Sequence, residues 1–460
     1  MHRVVFASAL ALTTFVAWLA PSPAHAFCGF YVGKAGAELY NHASQVVIVR
    51  DGERTVLTMS NDYQGSLKDF AMVVPVPTVL QKEQIHIGDR KLVERIDAYS
   101  APRLVEYFDP DPCSPMRGHF NEGAGMANKK SRAAEPSGPP SADSLGVKIE
   151  AQYTVGEYNI VILSAEQSDG LETWLKQSGY QIPPRAAKAL EPYIKQNMKF
   201  FVAKVDLSEQ AKTGFSYLRP IQIAYESEKF MLPIRLGMAN AHGGEQDLLI
   251  YTLTRKGRVE STNYKTDKVP SGETIPLYVK DEFPRFYQAV FQKAHEKDDY
   301  RAVHTEYVWN SGNCDPCADS PLSPDELRGL GVFWLDEAVS QPYSLYGRRR
   351  YGPPSNSPII TRLHVKYDSE HFPEDLMFQE TGDMANFQAR YVLQHPFKGD
   401  TSCPAGQQYL QQLEQRHEQE ASTLADITGW KREEIVKKMG GDAPSKNDQG
   451  GDNWYKNLWK

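Results

Sequence analysis

The stretch QVVIVRDGERTVLTM, residues 45–59, sets the reading of the fold. Residues 45–49 are rich in β-branched side chains and alternate weakly. Asp51-Gly52 then supplies a turn, and residues 55–59 resume the pattern. Two such runs around an Asp-Gly pair predict a β-hairpin, because glycine reaches the positive φ that a tight strand connection requires. Working outward, residues 70–76 form a short apolar run closed by Pro75 and Pro77. That length suits a buried strand, since an isolated helix needs more turns and proline favours strand ends. Residues 84–87 read as another strand, and residues 92–105 as a helix reaching Tyr107.

The same pattern continues downstream. Residues 146–153 and 158–163 predict a hairpin about Gly156. Residues 170–177 read as a short helix with Leu171, Trp174 and Leu175 on one face. Pro183-Pro184 opens a helical stretch to Asn197, with Pro192 as a potential break. Strands are expected at 200–207, 220–225, 248–253, 302–309, 359–367 and 387–393. Helices are expected at 283–297 and 405–438, the latter polar and on the surface. Hairpins outnumber β-α-β units, so the expected class is α+β: mainly antiparallel mixed β-sheets with peripheral helices and a helical C-terminal segment.

The chain has 460 residues, of which 41% are hydrophobic and 24% charged, with a formal net charge of -7. This is a globular composition without the basic excess that drives nucleic-acid binding. Residues 1–26 read as a signal peptide. Arg3 supplies the positive end, residues 4–20 are mostly apolar, and Ala24-His25-Ala26 forms a small-residue cleavage site. The apolar stretch is shorter than the roughly 20 residues of a membrane span. Cleavage and export to the periplasm or beyond are therefore expected, with no stable transmembrane insertion afterwards. Residues 27–116 read as a β-rich N-terminal domain or subdomain and 117–145 as a Gly/Pro/Ser-rich linker. A central α+β region follows at 146–400, then a helical segment at 401–440 and a loose tail at 441–460.

Five stretches together carry a family resemblance: FCGFYV (27–32), NDYQGSLKDFAMVVPVP (61–77), LSAEQSDGLETWLKQSGYQIP (163–183), CDPC (314–317) and TRLHVKYDSEHFPEDLMFQ (361–379). The chain resembles the bacterial secreted proteins grouped as domain of unknown function 2330. The resemblance implies export. It brings no activity and no catalytic residues.

The chemistry-bearing motifs are sparse. Cys314 and Cys317 frame the CDPC motif, and the pair can form a disulfide, half of a metal site or a redox dithiol. The proline-flanked setting has no evident activating helix, so a structural disulfide is the leading expectation. Metal at Cys314 and Cys317 is the alternative, and no other cofactor is expected. Cys28 with Cys113 is the expected second pair, leaving Cys403 as the odd thiol. His364 alternates with Arg362 and Lys366, which reads as a solvated basic strand face. His242 and Glu245 read as a polar turn, and Asp62 with Asp69 as turn carboxylates. Asp368, Glu370, Glu374 and Asp375 lack the spacing of a calcium loop. Trp430 is expected to pack back on the body or meet a partner, as are Trp454, Tyr455 and Trp459 in the tail. No serine elbow, dinucleotide loop or P-loop occurs. The functional expectation is an exported, envelope-associated binding or structural protein whose partner is an unknown envelope protein or extracellular ligand. The alternative is a thiol- or metal-dependent enzyme with a loop-built site near CDPC.

Overall fold

The computed structural model describes residues 24–25, 30–33, 40–64, 70–114, 147–166, 168–178, 180, 186–213, 217–240, 245–316, 318, 320–336 and 356–440. The opening hairpin forms as expected, from strands Tyr40–Asp51 and Arg54–Gln64. Asp51 pairs with Arg54, which leaves Gly52-Glu53 as a two-residue loop, and Gly52 takes φ 59°. A side chain at Gly52 would be strained there, so glycine sets the register of the whole pair.

This hairpin lies inside a ten-stranded mixed sheet. The order along its main path is Lys265–Lys268, Ala302–Asn310, Ile359–Tyr367, Gln246–Thr254, Tyr40–Asp51, Arg54–Gln64, Ile221–Glu226 and Ile85–Ile87. Most pairs are antiparallel. Gln246–Thr254 runs parallel to Tyr40–Asp51, and Lys265–Lys268 runs parallel to Ala302–Asn310. An antiparallel five-stranded sheet has the order Phe30–Gly33, Phe70–Val76, Lys199–Val205, Tyr158–Ala165 and Val147–Val155.

The two sheets face each other across a dry core. Val46, Ile48 and Leu57 from one sheet meet Val74, Ile160 and Phe201 from the other. Alternation then sends Val73, Phe200 and Val202 outward, where Leu171, Leu175 and Leu190 cover them. These residues come from helices Ser168–Gln177 and Ala186–Lys195, and the latter accommodates Pro192. On the far side of the large sheet, Val47, Val49 and Tyr251 pack against Val93, Ile96 and Tyr99. The architecture is thus helix, sheet, sheet, helix. Each fully buried Val, Leu or Phe side chain stabilises it by about 1.5–3 kcal/mol.

Three expected elements differ. The helix expected from 92 is Arg90–Ser100, started by Asp89, whose carboxylate accepts from the Lys91 amide at 2.9 Å. Pro102 follows, and the chain turns into strand Arg103–Phe108, because proline disfavours helical backbone at the residue before it. The strand expected at 387–393 is two: Phe387–Gln388 joins the large sheet, while Arg390–His395 pairs in parallel with Arg103–Phe108. The C-terminal helix divides into Pro404–Thr428 and Arg432–Lys438, stopped by Gly429 at φ 71°. Residues 117–145 and the tail at 441–460 lie outside the described residues.

Candidate functional site

The outer face of the large sheet concentrates the ionisable side chains. Strand Ala302–Asn310 pairs with Ile359–Tyr367 so that His304 stands opposite His364 and Tyr307 opposite Arg362. The register shifts between Thr305 and Tyr307, which leaves Glu306 as the extra residue of a β-bulge. Bulges re-aim side chains, and this one places a carboxylate where a regular strand would not. Glu306 is fully buried. Its Oε2 accepts from Arg362 Nε at 2.5 Å, and its Oε1 faces His364 Nδ1 at 2.8 Å. The Tyr287 hydroxyl also donates to Oε1.

Two helices complete the network. Arg90–Ser100 brings Asp97, which accepts from Arg362 Nη1 at 2.5 Å and from the Tyr251 hydroxyl at 2.7 Å. Phe283–Lys297 brings Tyr287, Phe291 and His295 over the sheet. Phe291 stacks on His364 with ring centroids 3.7 Å apart. The other ring nitrogen of His364 faces Asp247 at 3.1 Å. Glu245 joins Lys366 Nζ at 2.9 Å and His295 Nε2 at 3.2 Å.

Burial alone would neutralise these groups, and their partners decide otherwise. Burial opposes the charged form of His364, but Glu306 and Asp247 outweigh it and raise the imidazole to about 9. Burial likewise pushes Glu306 up, yet His364, Arg362 and their hydrogen bonds hold it at about 2. The core of the network is therefore ionised at neutral pH: one carboxylate between a guanidinium and an imidazolium. Such a carboxylate is a poor general base, because its lone pairs and charge are already engaged. His304 is the contrast. It is fully buried, neither ring nitrogen has a partner among the described residues, and burial lowers it to about 4.

The sequence motifs are distributed differently from expectation. Arg362, His364 and Lys366 share a face, but helices cover it; it is not a solvated basic face. Alternation shows which residues share a face and is silent on what covers them. The signal that could have marked the network is the matching His304/Glu306 pair on a neighbouring strand. Cys314 carries a free, exposed thiol, and Cys317 lies outside the described residues. Asp315 between them is buried. It accepts from the Tyr307 hydroxyl at 3.1 Å and from Gln388 Nε2 at 2.8 Å, anchoring the motif below the bulge.

The expected Cys28–Cys113 pair is corrected: Cys113 is bonded to Cys403, 290 residues away. The parallel strands Arg103–Phe108 and Arg390–His395 bring the two together, a pairing that no local pattern reveals. Cys403 is therefore not the odd thiol, and Cys28 lies outside the described residues. His242, Asp69 and the Asp62 side chain also lie outside them. Asp368 accepts from its neighbour His371, whereas Asp375 is buried against the Tyr193 hydroxyl at 2.6 Å. Asp368 thus fastens its own turn, and Asp375 ties that segment to distant parts of the chain. Among the described residues no group of three or more His, Cys, Asp or Glu side chains could hold a metal.

Two openings lie elsewhere, next to each other around Tyr225. A cavity of about 220 Å³ is lined by apolar residues that include Leu57, Met198, Tyr225 and Met231 and by polar Gln196, Ser227, Glu228 and Lys229. A shallower one of about 490 Å³ shares Tyr225 and adds Arg54, Glu226 and Phe333. Lys229 Nζ donates to Gln196 Oε1 at 2.7 Å across the first. Neither opening includes Glu306, Arg362, His364 or Cys314.

Fold and network together define an α+β sandwich with an enclosed ionic face and two openings lined by other residues. The chain belongs to the family described as "Uncharacterized protein conserved in bacteria (DUF2330)", whose profile matches residues 22–379. No curated protein matches the chain. Among solved structures, the crystal structure of baculovirus P35 is similar over 49% of this chain and 66% of that chain, at 13% identity and a TM-score of 0.23. The chain thus spans just under two thirds of that protein, and a TM-score at this level carries no argument. No helix among the described residues is long and apolar enough to cross a membrane.

Proposed function

We propose that the protein is an exported binding protein of the bacterial envelope, and that its ionic network holds the scaffold while the cleft around Tyr225 holds the ligand. One observation carries this reading: the ionisable groups converge where Glu306 is fully buried, whereas the first opening presents Tyr225, Met198 and Met231 beside Gln196, Ser227, Glu228 and Lys229. A cleft that sets apolar surface beside a few polar groups suits recognition. A catalytic centre needs its acid or base to reach substrate. The order of charged end, apolar stretch and A-x-A site in residues 1–26 supports export, as does the Cys113–Cys403 bond. The ligand would offer an apolar part for the cavity and a polar end for Lys229.

The test combines two measurements. N-terminal sequencing of protein from the envelope fraction should begin at Phe27. Titration with an anilinonaphthalene sulfonate dye, apolar with an anionic end, should show saturable binding. Tyr225→Ala should weaken it roughly tenfold, a loss of about 1.4 kcal/mol, with thermal stability retained. Dye binding indifferent to Tyr225 would overturn the groove assignment, and a retained residue 1–26 segment would overturn export.

A further inference from the structure

The polypeptide beyond the family match forms an arm that returns to an early segment. Strand Arg390–His395 pairs with Arg103–Phe108, and helix Pro404–Thr428 follows it. Besides the apolar packing of Tyr391, Leu393 and Leu424 on Phe286, one carboxylate just past the paired strands gathers several polar ties. Asp109 accepts from Arg416 at 2.8 and 3.1 Å, from the Tyr409 hydroxyl at 2.6 Å and from Gln394 at 2.6 Å. His395 adds a contact to Glu106 at 2.8 Å and stacks on Phe108, and the covalent tie at this end is the bond between Cys113 and Cys403.

The two sulfurs are not equivalent. Cys113 is exposed. Cys403 is half-buried and occupies the N-cap of the 25-residue helix, where its sulfur accepts from the Gly406 amide at 3.1 Å. A helix N-terminus stabilises negative charge, so Cys403 is the better leaving thiolate. The helix it caps packs through Ala421 and Leu424 on Phe286 and Val290 of helix Phe283–Lys297. That second helix roofs the ionic network, its Tyr287 on Glu306 and its Phe291 on His364.

We propose that the Cys113–Cys403 bond is a redox latch, opened by a dithiol reductant, that fastens the C-terminal arm over the helix roofing the ionic network. The reductant's thiolate attacks Cys113 Sγ. The S–S bond breaks, and Cys403 leaves with the bonding pair as a thiolate facing the Gly406 amide. The reductant's second thiol, losing its proton, then attacks the reductant sulfur of the mixed disulfide and expels the Cys113 thiolate. The dithiol ends as a disulfide, having supplied two electrons, and two protons complete the two cysteines. Reoxidation closes the latch. The released segment is the arm, because the β-sandwich keeps its own cores without it.

The experiment uses the full chain. Incubation with glutathione, a monothiol that stalls at the mixed disulfide, should yield an adduct on Cys113; an adduct on Cys403 alone would overturn the assigned direction. Hydrogen exchange is then compared between oxidised protein, protein reduced with dithiothreitol and reoxidised protein. Reduction should speed exchange in residues 404–428 at least tenfold, leave residues 359–367 within twofold, and be reversed on reoxidation. Cys113→Ser should match the reduced protein without reductant. Cys403→Ser should do the same while keeping a residue that caps helices. Equal exchange in the oxidised and reduced forms would overturn the latch. So would a speed-up shared equally by residues 359–367, which would make the bond a general support of the fold.

Discussion

The two faces of the large sheet are built from the same strands and solve opposite problems. Toward the smaller sheet, Leu248, Ile250, Leu363 and Val365 interdigitate with an apolar partner. Toward the helices, Asp247, Arg362 and His364 from the same two strands are charged; Arg362 is buried, while His364 and Asp247 keep part of their surface exposed. The dry face needs only complementary shape and volume. The charged face needs every partner present, since an ion out of water costs several kcal/mol unless it is paired and hydrogen-bonded. The difference teaches that stability and specificity are divided between faces: the dry one tolerates repacking, while the charged one accepts a single arrangement of Glu306, Arg362, His364 and Asp97.

The largest effect should come from removing the network's centre. Glu306→Ala strands Arg362 and His364 without their shared anion and is expected to cost about 3–5 kcal/mol, read as a lowered urea midpoint. Replacing Glu306, Arg362 and His364 together by apolar residues should cost less than that single change. If the single change costs under about 1 kcal/mol, the scale of an exposed ion pair, the network is not the centre claimed. Leu363→Ala makes the matched truncation on the dry face and should cost about 2–4 kcal/mol through lost burial and a residual cavity. Its effect should be nearly the same at pH 6 and pH 8, because no titrating group is touched.

The smallest effect at neutral pH should come from His304. Its ring nitrogens have no described partners, so His304→Phe removes a buried polar group and should change stability by no more than about 1 kcal/mol at pH 8. The acid limb sharpens the comparison. His304 stays neutral in the fold down to about 4, whereas an unfolded histidine takes its proton near 6.5. The unfolded chain thus binds the extra proton, and stability falls as pH drops from 6.5 toward 4. His304→Phe should flatten that limb; His417, lowered to about 4 by burial, retains part of it. His364 has the opposite sign. Raised to about 9, it contributes fully below 6.5 and loses that contribution as pH rises through 9. Glu306, held at about 2, contributes above 4.5 and loses its contribution as pH falls through 2. An acid limb unchanged in the His304 variant would mean that other groups govern it.

Local features of the chain were legible because local physics sets them. The Gly52 hairpin, the strand Phe70–Val76, the helix Phe283–Lys297 and the strand Ile359–Tyr367 all stand where turn residues and periodicity put them. The parallel pairing of Arg103–Phe108 with Arg390–His395 was not legible, since nothing within either segment names the other. The Cys113–Cys403 bond was missed for the same reason. The charged face was half legible: Arg362, His364 and Lys366 were seen to share a side, but the helices that enclose it are chosen by tertiary packing. Glu306 escaped notice because a bulge breaks the very alternation by which strand faces are read.

That bulge also changes the parity of its strand. Ahead of it, even-numbered His304 points to the helices and odd-numbered Val303 to the core between the sheets. Beyond it, odd-numbered Tyr307 and Trp309 join the helix side. The strand therefore works as two half-strands spliced out of phase. A one-residue deletion at Thr305 or Glu306 would not shorten an ordinary strand. It would restore unbroken pleating with His304 still opposite His364 and Tyr307 still opposite Arg362, and the network would lose the carboxylate that the extra residue presents. The residue that the pleat could do without is thus the one whose carboxylate joins Arg362 to His364.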